Sequence, residues 1–573
     1  MILQPIVNIA EICAQKGVLE VVISPGSRSA ALTLAFARHP KIKTTVIPDE
    51  RVAGFVALGM AQQSNITVAL VCTSGSAAYN LAPAVVEAFF QEIPLLVFTA
   101  DRPTEWVGQQ DGQTMFQNEL YGKHVKKSYQ LPADYVHLDA VWQIERVVNE
   151  AINLSKSIAR GPVHINVPIR EPFYPSMDEK FEYNLNVRII EQIETQSVLP
   201  VSTWHQLQNI WEDCDKILIA AGQMPPNNEL WQILKQLSEE MDVVVLGDCT
   251  SNIPDDEAFI RHHDVLLGSK NETLFEELKP ELLITIGNSF LSKNFKQFVR
   301  KNKPKYHWHI KNTNEIIDSL QSVTASIPVE STYFFRKLWE DLDYQKFVQN
   351  EDFNQIQSGY KLLWKKENYA VLNKLNIFLN QEERWNDFVI IREILDQIPS
   401  NSILHLANSM SVRYVNLLGI QNGITIRSNR GVSGIDGCTS TALGAARQSL
   451  NPVFLLTGDV AFFYDRNALW GTQIPDNLVI ILINNAGGNI FRLIDGPSTQ
   501  PELETFFETR HQTTAKRTCE DVGIAYFSIK AYENLDLTRW LEGKKGAMLI
   551  EVFTEPATNA EVFDAYRKII CEK

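Results

Sequence analysis

A chain of 573 residues, 45% hydrophobic and 21% charged, is too long for one ordinary core and has the composition of a globular protein with about three or four domains. Its formal net charge of −15, without any Lys- or Arg-rich tract, makes nucleic acid and anionic membranes poor partners. An anionic substrate would have to be met by a local basic cluster working against the global field.

No run of about eighteen apolar residues occurs, so no membrane span is expected. The opening "MILQPIVNIAEICAQKG" has no basic region ahead of its apolar residues and suits an amphipathic helix better than a signal peptide. Cys13, Cys72, Cys214, Cys249, Cys438, Cys519 and Cys571 lie far apart with no Cys-x-x-Cys, which argues against a zinc site or disulfide framework and fits a reducing, cytoplasmic setting.

The first block (1–180) begins with a helix over Pro5–Gln15 and a strand over Leu19–Ile23. The turn "SPGSRS" leads into a helix from about Ser29; a helix N-terminus with Arg28 beside it makes an anion site. Strands over Thr44–Ile47, Thr67–Cys72 and Leu95–Thr99 alternate with a helix from Glu50 and one around Ser76–Gln91, and "GPVHINVP" adds a late strand. Continuous apolar strands between helices predict a parallel sheet covered on both faces. Arg170–Asn186 loses this periodicity and reads as a linker.

A smaller α/β block (190–345) holds "KILIAAG", "DVVVLGD", "ELLITIGN" and "KYHWHI". A charged, helix-prone connector runs to about Asn386. The third block (375–573) carries "SILHLAN", "GITIRSN", "PVFLLTGD", "NLVIILINN" and "AMLIEVF". The expected architecture is three α/β domains, each a parallel sheet flanked by helices.

"LLTGDV" ends a strand at Gly458-Asp459, and "LINNAGG" ends another at Asn484-Asn485, one helical crossover later. Both motifs fall where open α/β sheets bind ligands, at strand carboxyl ends. A carboxylate, an amide oxygen and a carbonyl in a Gly-rich turn form a hard-oxygen site suited to Mg²⁺ and a diphosphate; Mn²⁺ accepts the same ligands. Gly431, Gly434 and Gly437 in "RGVSGIDG" let another backbone turn approach. A lone Gly-Asp is more often a simple turn; the ordered set is what carries the metal–diphosphate reading.

These motifs resemble the thiamine-diphosphate enzymes. The resemblance implies that Asp459, the Asn485 side chain and the Gly487 carbonyl hold the metal. Val460 departs from the family pattern, where a third glycine is usual. It also implies that Glu50, in "VIPDERVAGF", hydrogen-bonds the cofactor's aminopyrimidine, and that facing domains come from different subunits, so at least a homodimer is expected, either dimer or tetramer. As a bare acid at a helix start, Glu50 would be a dipole-favoured cap.

With diphosphate assigned to the third block, "SPGSRS" is free for another anion. "SPGSRS", "PDER", "TADRP", "SNRGVSGIDG" and "NNAGGNIF" together resemble the family of 2-succinyl-5-enolpyruvyl-6-hydroxy-3-cyclohexene-1-carboxylate synthases of menaquinone biosynthesis. That resemblance implies a transferase that decarboxylates 2-oxoglutarate and adds the resulting succinyl carbanion to isochorismate. Ser27 and Arg28 would hold an isochorismate carboxylate, with Arg102, Gln113 and Lys293 lining the same region. Ser409, Arg413 and Arg430 would receive the carboxylates of 2-oxoglutarate or of the adduct, gripped by guanidinium forks. Glu50, Arg28, Gln113, Arg413 and Arg430 are the expected catalytic set; Ser409, Gly434 and Ile435 join Glu50, Asp459 and Asn485 around the cofactor, with Ile435 propping its bent form. Asn294 stands where the family often has arginine.

Three other readings compete. An acetohydroxyacid synthase or simple 2-oxoacid decarboxylase needs a small hydrophobic pocket, which Arg413 and Arg430 fit poorly. A nicotinamide dehydrogenase requires Gly-x-Gly-x-x-Gly between strand and helix, and "GVSGIDG" has the wrong spacing. A non-catalytic binding protein would not need Glu50, Asp459 and Asn485 together.

Overall fold

The computed structural model describes residues 3–171, 173–176, 179–349, 359–471, 473–532, 535–543 and 545–571. The chain builds three six-stranded sheets in which every strand pair is parallel.

The first sheet contains β1 (Glu20–Ile23), β2 (Lys43–Val46), β3 (Val68–Cys72), β4 (Leu95–Asp101), β5 (Ser128–Gln130) and β6 (Val163–Pro168) in the order β2-β1-β3-β4-β6-β5. The second contains β7 (Ile217–Ala221), β8 (Val243–Gly247), β9 (Phe259–Ile260), β10 (Leu282–Ile286), β11 (Tyr306–Ile310) and β12 (Ala325–Ile327), ordered β12-β11-β10-β7-β8-β9. The third contains β13 (Ile403–Leu406), β14 (Thr425–Ser428), β15 (Val453–Gly458), β16 (Leu478–Asn484), β17 (Ala525–Ile529) and β18 (Met548–Phe553), ordered β14-β13-β15-β16-β18-β17. The first and third sheets therefore share one winding, and the middle sheet has another.

Four strands escaped the sequence reading: β5, β9, β12 and β17, each at a sheet edge. An edge strand is covered less and needs no continuous apolar run; β17 is exposed or half-buried over four of its five residues. The helix expected over Ser76–Gln91 is two helices, Ser76–Asn80 and Ala82–Gln91, because Pro83 starts a new first turn.

Alternate strand residues feed different cores, as the two-residue side-chain period requires. In the third sheet Ile403, Val453, Leu455, Ile480 and Leu482 join first-domain residues in one core. Leu404, Phe454, Leu456, Ile481 and Ile483 join middle-domain residues in another. Helix Glu50–Ser64 crosses helix Cys438–Arg447 at backbone contact: a Cβ on Gly59 would lie 2.0 Å from the Thr441 carbonyl oxygen, and one on Gly444 2.1 Å from that of Val56.

The connector is more than a solvated spacer. Its described part includes helix Tyr360–Gln381, whose Trp364, Leu375 and Phe378 enter the core shared by the middle and third domains; residues 350–358 lie outside the described residues. The linker over Arg170–Asn186 has no regular structure where it is described (Pro172, Met177 and Asp178 lie outside), yet it buries Phe173 in the first-domain core. Among the described residues no helix is long and apolar enough to cross a membrane, and all seven cysteines are free.

Candidate active site

β15 and β16 are neighbours with Gly458 opposite Ile483, so the Gly-Asp and Asn-Asn turns leave the sheet side by side. They open into a cavity of about 390 Å³ lined by Asp387, Asn408, Ser409, Arg413, Arg430, Ile435, Asp459, Asn485 and Gly487, among others. Asp459 is 2% exposed; its Oδ1 accepts from the Val460 N–H at 2.7 Å and its Oδ2 from the Gly487 N–H at 2.9 Å. The Asn485 side chain donates to Asp387, and its Oδ1 is buried with no hydrogen-bond partner. Gly487 sits at φ +152°, and a Cβ there would lie 2.5 Å from the Glu508 carbonyl oxygen, so the turn requires glycine. Its own carbonyl accepts one N–H, from Asn489, leaving a second lone pair.

An orphaned buried amide oxygen beside a buried carboxylate and a backbone carbonyl fits a hard divalent cation. Among the described residues no three His, Cys, Asp or Glu side chains cluster as metal ligands. His511, unmarked in the sequence reading, lies 3.3 Å from Asp459 Oδ2, and that contact raises its pKa above the ordinary value.

On the cavity wall, Arg430 donates from Nη1 to Asn408 Oδ1 at 2.8 Å, and its Nε is buried without a partner. Arg413 stands exposed at the mouth and donates to the Ser409 carbonyl. Desolvation lowers both guanidinium pKa values, and for Arg413 the Arg430 charge adds to it. Among the described residues neither forms an ion pair with a carboxylate. Ser409 (φ 77°) and Ser433 (φ 64°) are non-glycine residues in the left-handed region, strain of a kind that collects at binding sites. Ile435 packs with Ala407, Cys438 and Ala461 to form an apolar ledge. Gly434 contributes its carbonyl to Asn408 at 2.7 Å. The turn after Arg430 is held from the first domain: buried Glu87 accepts the N–H groups of Gly431 and Val432 at 2.6 and 2.8 Å.

Lys293 is exposed at the start of helix Lys293–Lys301 and does not line this cavity. Asn294 is committed elsewhere, donating to the Asp264 carbonyl at 2.9 Å. Lys296, not singled out from sequence, is a half-buried cation of this helix in the field of Asp248, Arg430, Arg300 and Arg413.

A second group forms at the carboxyl ends of the first sheet. Arg28 is 7% exposed, donates to the Ile169 carbonyl and to Glu171 at 3.0 Å each, and lies over the Phe173 ring. Burial, then the nearby Arg102 charge, lowers its pKa. Arg102 pairs with Asp111 at 3.1 Å and donates to the Gly112 carbonyl, beside exposed Gln113 (φ 55°). Ser27 Oγ lies 3.2 Å from the Tyr174 hydroxyl. The structure thus gathers Ser27, Arg28, Arg102 and Gln113, and adds Glu171 from the linker as a guard on Arg28. Glu50 is half-buried at the first position of helix Glu50–Ser64, behind the Asp49 cap, and is not in the Asp459 cavity.

The middle sheet has the doubly wound order of dinucleotide-binding folds, with its switch point between β7 and β10. That crevice is closed by backbone: the Gln223 N–H donates to the Ser289 carbonyl at 3.1 Å and the Asn288 N–H to the Gln223 carbonyl at 2.8 Å. A Cβ on Gly222 would lie 2.2 Å from the Asn288 carbonyl oxygen, so the turns after β7 and β10 meet there through backbone.

The family described as "Thiamine pyrophosphate enzyme, N-terminal TPP binding domain" matches residues 8–126, and "Middle domain of thiamine pyrophosphate" matches residues 187–406. The fold is thus that of a thiamine-diphosphate enzyme. The 2-succinyl-5-enolpyruvyl-6-hydroxy-3-cyclohexene-1-carboxylate synthase of Cytophaga hutchinsonii is 40% identical over 99% of each chain. Those of Flavobacterium johnsoniae and Porphyromonas gingivalis are 37% and 35% identical, covering 98% and 96% of this chain and 98% and 94% of their own. The chain belongs to this synthase family.

Proposed function

We propose that the protein decarboxylates 2-oxoglutarate and adds the four-carbon remainder to isochorismate, giving 2-succinyl-5-enolpyruvyl-6-hydroxy-3-cyclohexene-1-carboxylate and CO₂ in menaquinone biosynthesis in the cytoplasm. The observation that carries this reading is the pair of guanidinium groups, Arg413 and Arg430, which among the described residues form no ion pair with a carboxylate and stand beside an oxygen-lined cavity. Such a wall selects a dianion over the small apolar 2-oxoacids of acetohydroxyacid synthases.

Asp459, Asn485 and Gly487 would hold Mg²⁺ or Mn²⁺ and, through it, the cofactor's diphosphate. Bound there, thiamine diphosphate supplies an electron sink for the pair released as CO₂ leaves. Arg413, Arg430 and Ser409 hold and neutralise the carboxylates of 2-oxoglutarate, while Ser27, Arg28, Arg102, Gln113 and Lys293 present isochorismate. The work of these side chains is positioning and charge neutralisation rather than proton transfer. Glu50 reaches the cofactor from a second copy of the chain. Supporting this, Val46, Tyr464 and Trp470 near the Glu50 end of its helix are 54%, 54% and 57% exposed, an apolar surface suited to a homodimer or tetramer. Domain limits at 1–180, 190–345 and 375–573 belong to the same reading.

The test incubates protein, Mg²⁺ and thiamine diphosphate with 2-oxoglutarate, with and without isochorismate. The expected product has the mass of both substrates less CO₂, and Arg28→Ala severely weakens isochorismate use. Product formed without thiamine diphosphate overturns the reading.

A further inference from the structure

The Asn485 amide is useful to a cation only if its oxygen, not its nitrogen, faces the cavity. Nothing in an isolated amide decides this, because its two ends are nearly the same size. The decision is made by a closed ring of directional hydrogen bonds in the cavity wall.

The ring starts at a group that can only donate. The backbone N–H of Asp387, first residue of helix Asp387–Gln397, donates to Asn559 Oδ1 at 2.9 Å, which fixes the orientation of the Asn559 amide. Asn559 must then turn its NH₂ toward Thr554 Oγ1, at 3.3 Å. With one lone pair so used, the single hydroxyl proton of Thr554 goes to Asp387 Oδ1, at 2.6 Å. The other carboxylate oxygen, Oδ2, accepts from Asn485 Nδ2 at 2.9 Å. A carboxylate only accepts, so Asn485 must offer its NH₂ and turn Oδ1 the other way. That Oδ1 is the buried oxygen without a partner.

All four residues are nearly inaccessible: Asp387 and Asn559 are 2% exposed, Thr554 7% and Asn485 8%. They come from four elements, the start of one helix, the ends of β16 and β18, and helix Pro556–Cys571. The Thr554 N–H also donates to the Asn484 carbonyl at 3.1 Å, tying the ring to the turn that carries the amide.

We propose that Asp387 is a positioning residue that holds the Asn485 amide oxygen toward the metal, with Thr554 and Asn559 holding Asp387 in turn. This rests on the reading of Asp459, Asn485 and Gly487 as the metal site. An asparagine at 387 has nearly the same shape but presents either a donor or an acceptor, so the amide of Asn485 loses its imposed direction.

The experiment titrates the full chain with Mn²⁺ at saturating thiamine diphosphate and follows the electron paramagnetic resonance signal of free Mn²⁺. Asp387→Asn is expected to weaken Mn²⁺ binding about 10–100-fold, the usual cost of losing a ligand's orienting partner. Its thermal unfolding midpoint without metal should be no lower than wild type, because a buried carboxylate has been removed; a purely structural role predicts the reverse pattern. Thr554→Val, which keeps the side-chain shape and removes the hydroxyl, should weaken Mn²⁺ in the same direction and decides the matter if Asp387→Asn does not fold. Asp459→Asn is the control. If it abolishes Mn²⁺ binding while Asp387→Asn, or Thr554→Val in its place, stays within about twofold of wild type, the positioning role is wrong and the metal site stands. If Asp459→Asn binds Mn²⁺ as wild type does, the metal site itself is wrong and the positioning role falls with it.

Discussion

Replacing Arg430 by methionine removes a half-buried positive charge while keeping most of its apolar stem. The loop should survive the change: Asn408 still donates to the Asn429 and Gly434 carbonyls at 2.7 Å each, and Glu87 still holds Gly431 and Val432. What is lost is a charge-assisted contact to a substrate carboxylate, worth about 1.5–3 kcal/mol, or roughly 10- to 150-fold in kcat/KM. The assay compares CO₂ release from 2-oxoglutarate with that from 2-oxopentanoate, which lacks the distal carboxylate. Wild type should prefer the diacid, and Arg430→Met should compress that preference by the stated factor. Arg430→Lys, which keeps the charge but not the planar fork, should recover part of it. An unchanged preference, or an equal loss on both substrates, refutes the reading of Arg430 as a carboxylate receptor.

Glu171→Gln removes the acid that pairs with Arg28 through a side chain that is 66% exposed; such pairs are worth up to about 1 kcal/mol, so KM for isochorismate should fall by about fivefold at most. A rise in KM would make Glu171 a substrate contact instead of a competitor. Gly59→Ala forces a methyl group into the Thr441 carbonyl at 2.0 Å and should cost about 1–3 kcal/mol, read as a lower unfolding midpoint. Asp465 is fully buried, and burial pushes its carboxyl up to about 7 although Ser440 donates to it twice. A raised acid favours the folded state while protonated, so its contribution is intact below the ordinary carboxylate range and is lost as pH rises toward 7. Asp465→Asn should abolish that loss, stabilising the protein at pH 8 by up to about 4 kcal/mol and flattening unfolding midpoints between about pH 4 and 7.

Central strands were legible in the sequence because burial on both faces leaves unbroken apolar runs such as "VFLLTG" and "LVIILIN". Edge strands such as "SYQ" and "ASI" carry too few residues and too little apolar character to stand out from turns. At the site, the Gly-Asp and Asn-Asn turns were legible because strand ends and chemistry coincide in one short segment. Their supports were not. Asp387 is 98 positions from Asn485, Glu171 is 143 from Arg28, and Glu87 is 344 from Gly431. No local pattern encodes such pairs; only the packing of separate elements brings them together.

The cations of the two proposed substrate regions differ in a way that composition alone could not show. Arg28 and Arg102 are already matched by Glu171 and Asp111, whereas among the described residues Arg413 and Arg430 form no ion pair and donate to neutral oxygens. Asp248 and Glu87 act on Arg430, and Asp264 on Arg413, without forming an ion pair with either guanidinium among the described residues, so an anion bound there gains charge-assisted contacts without displacing a protein acid. A matched pair offers no such gain until its acid is displaced. On the proposed function, the Arg413–Arg430 region would take its dianion without displacing a protein acid, and the first-domain region would admit a second dianion only in exchange for a protein carboxylate. Raising the salt concentration should accordingly weaken the Arg413–Arg430 region more than the guarded one, since salt screens an open charge and loosens the Glu171 competitor at the same time.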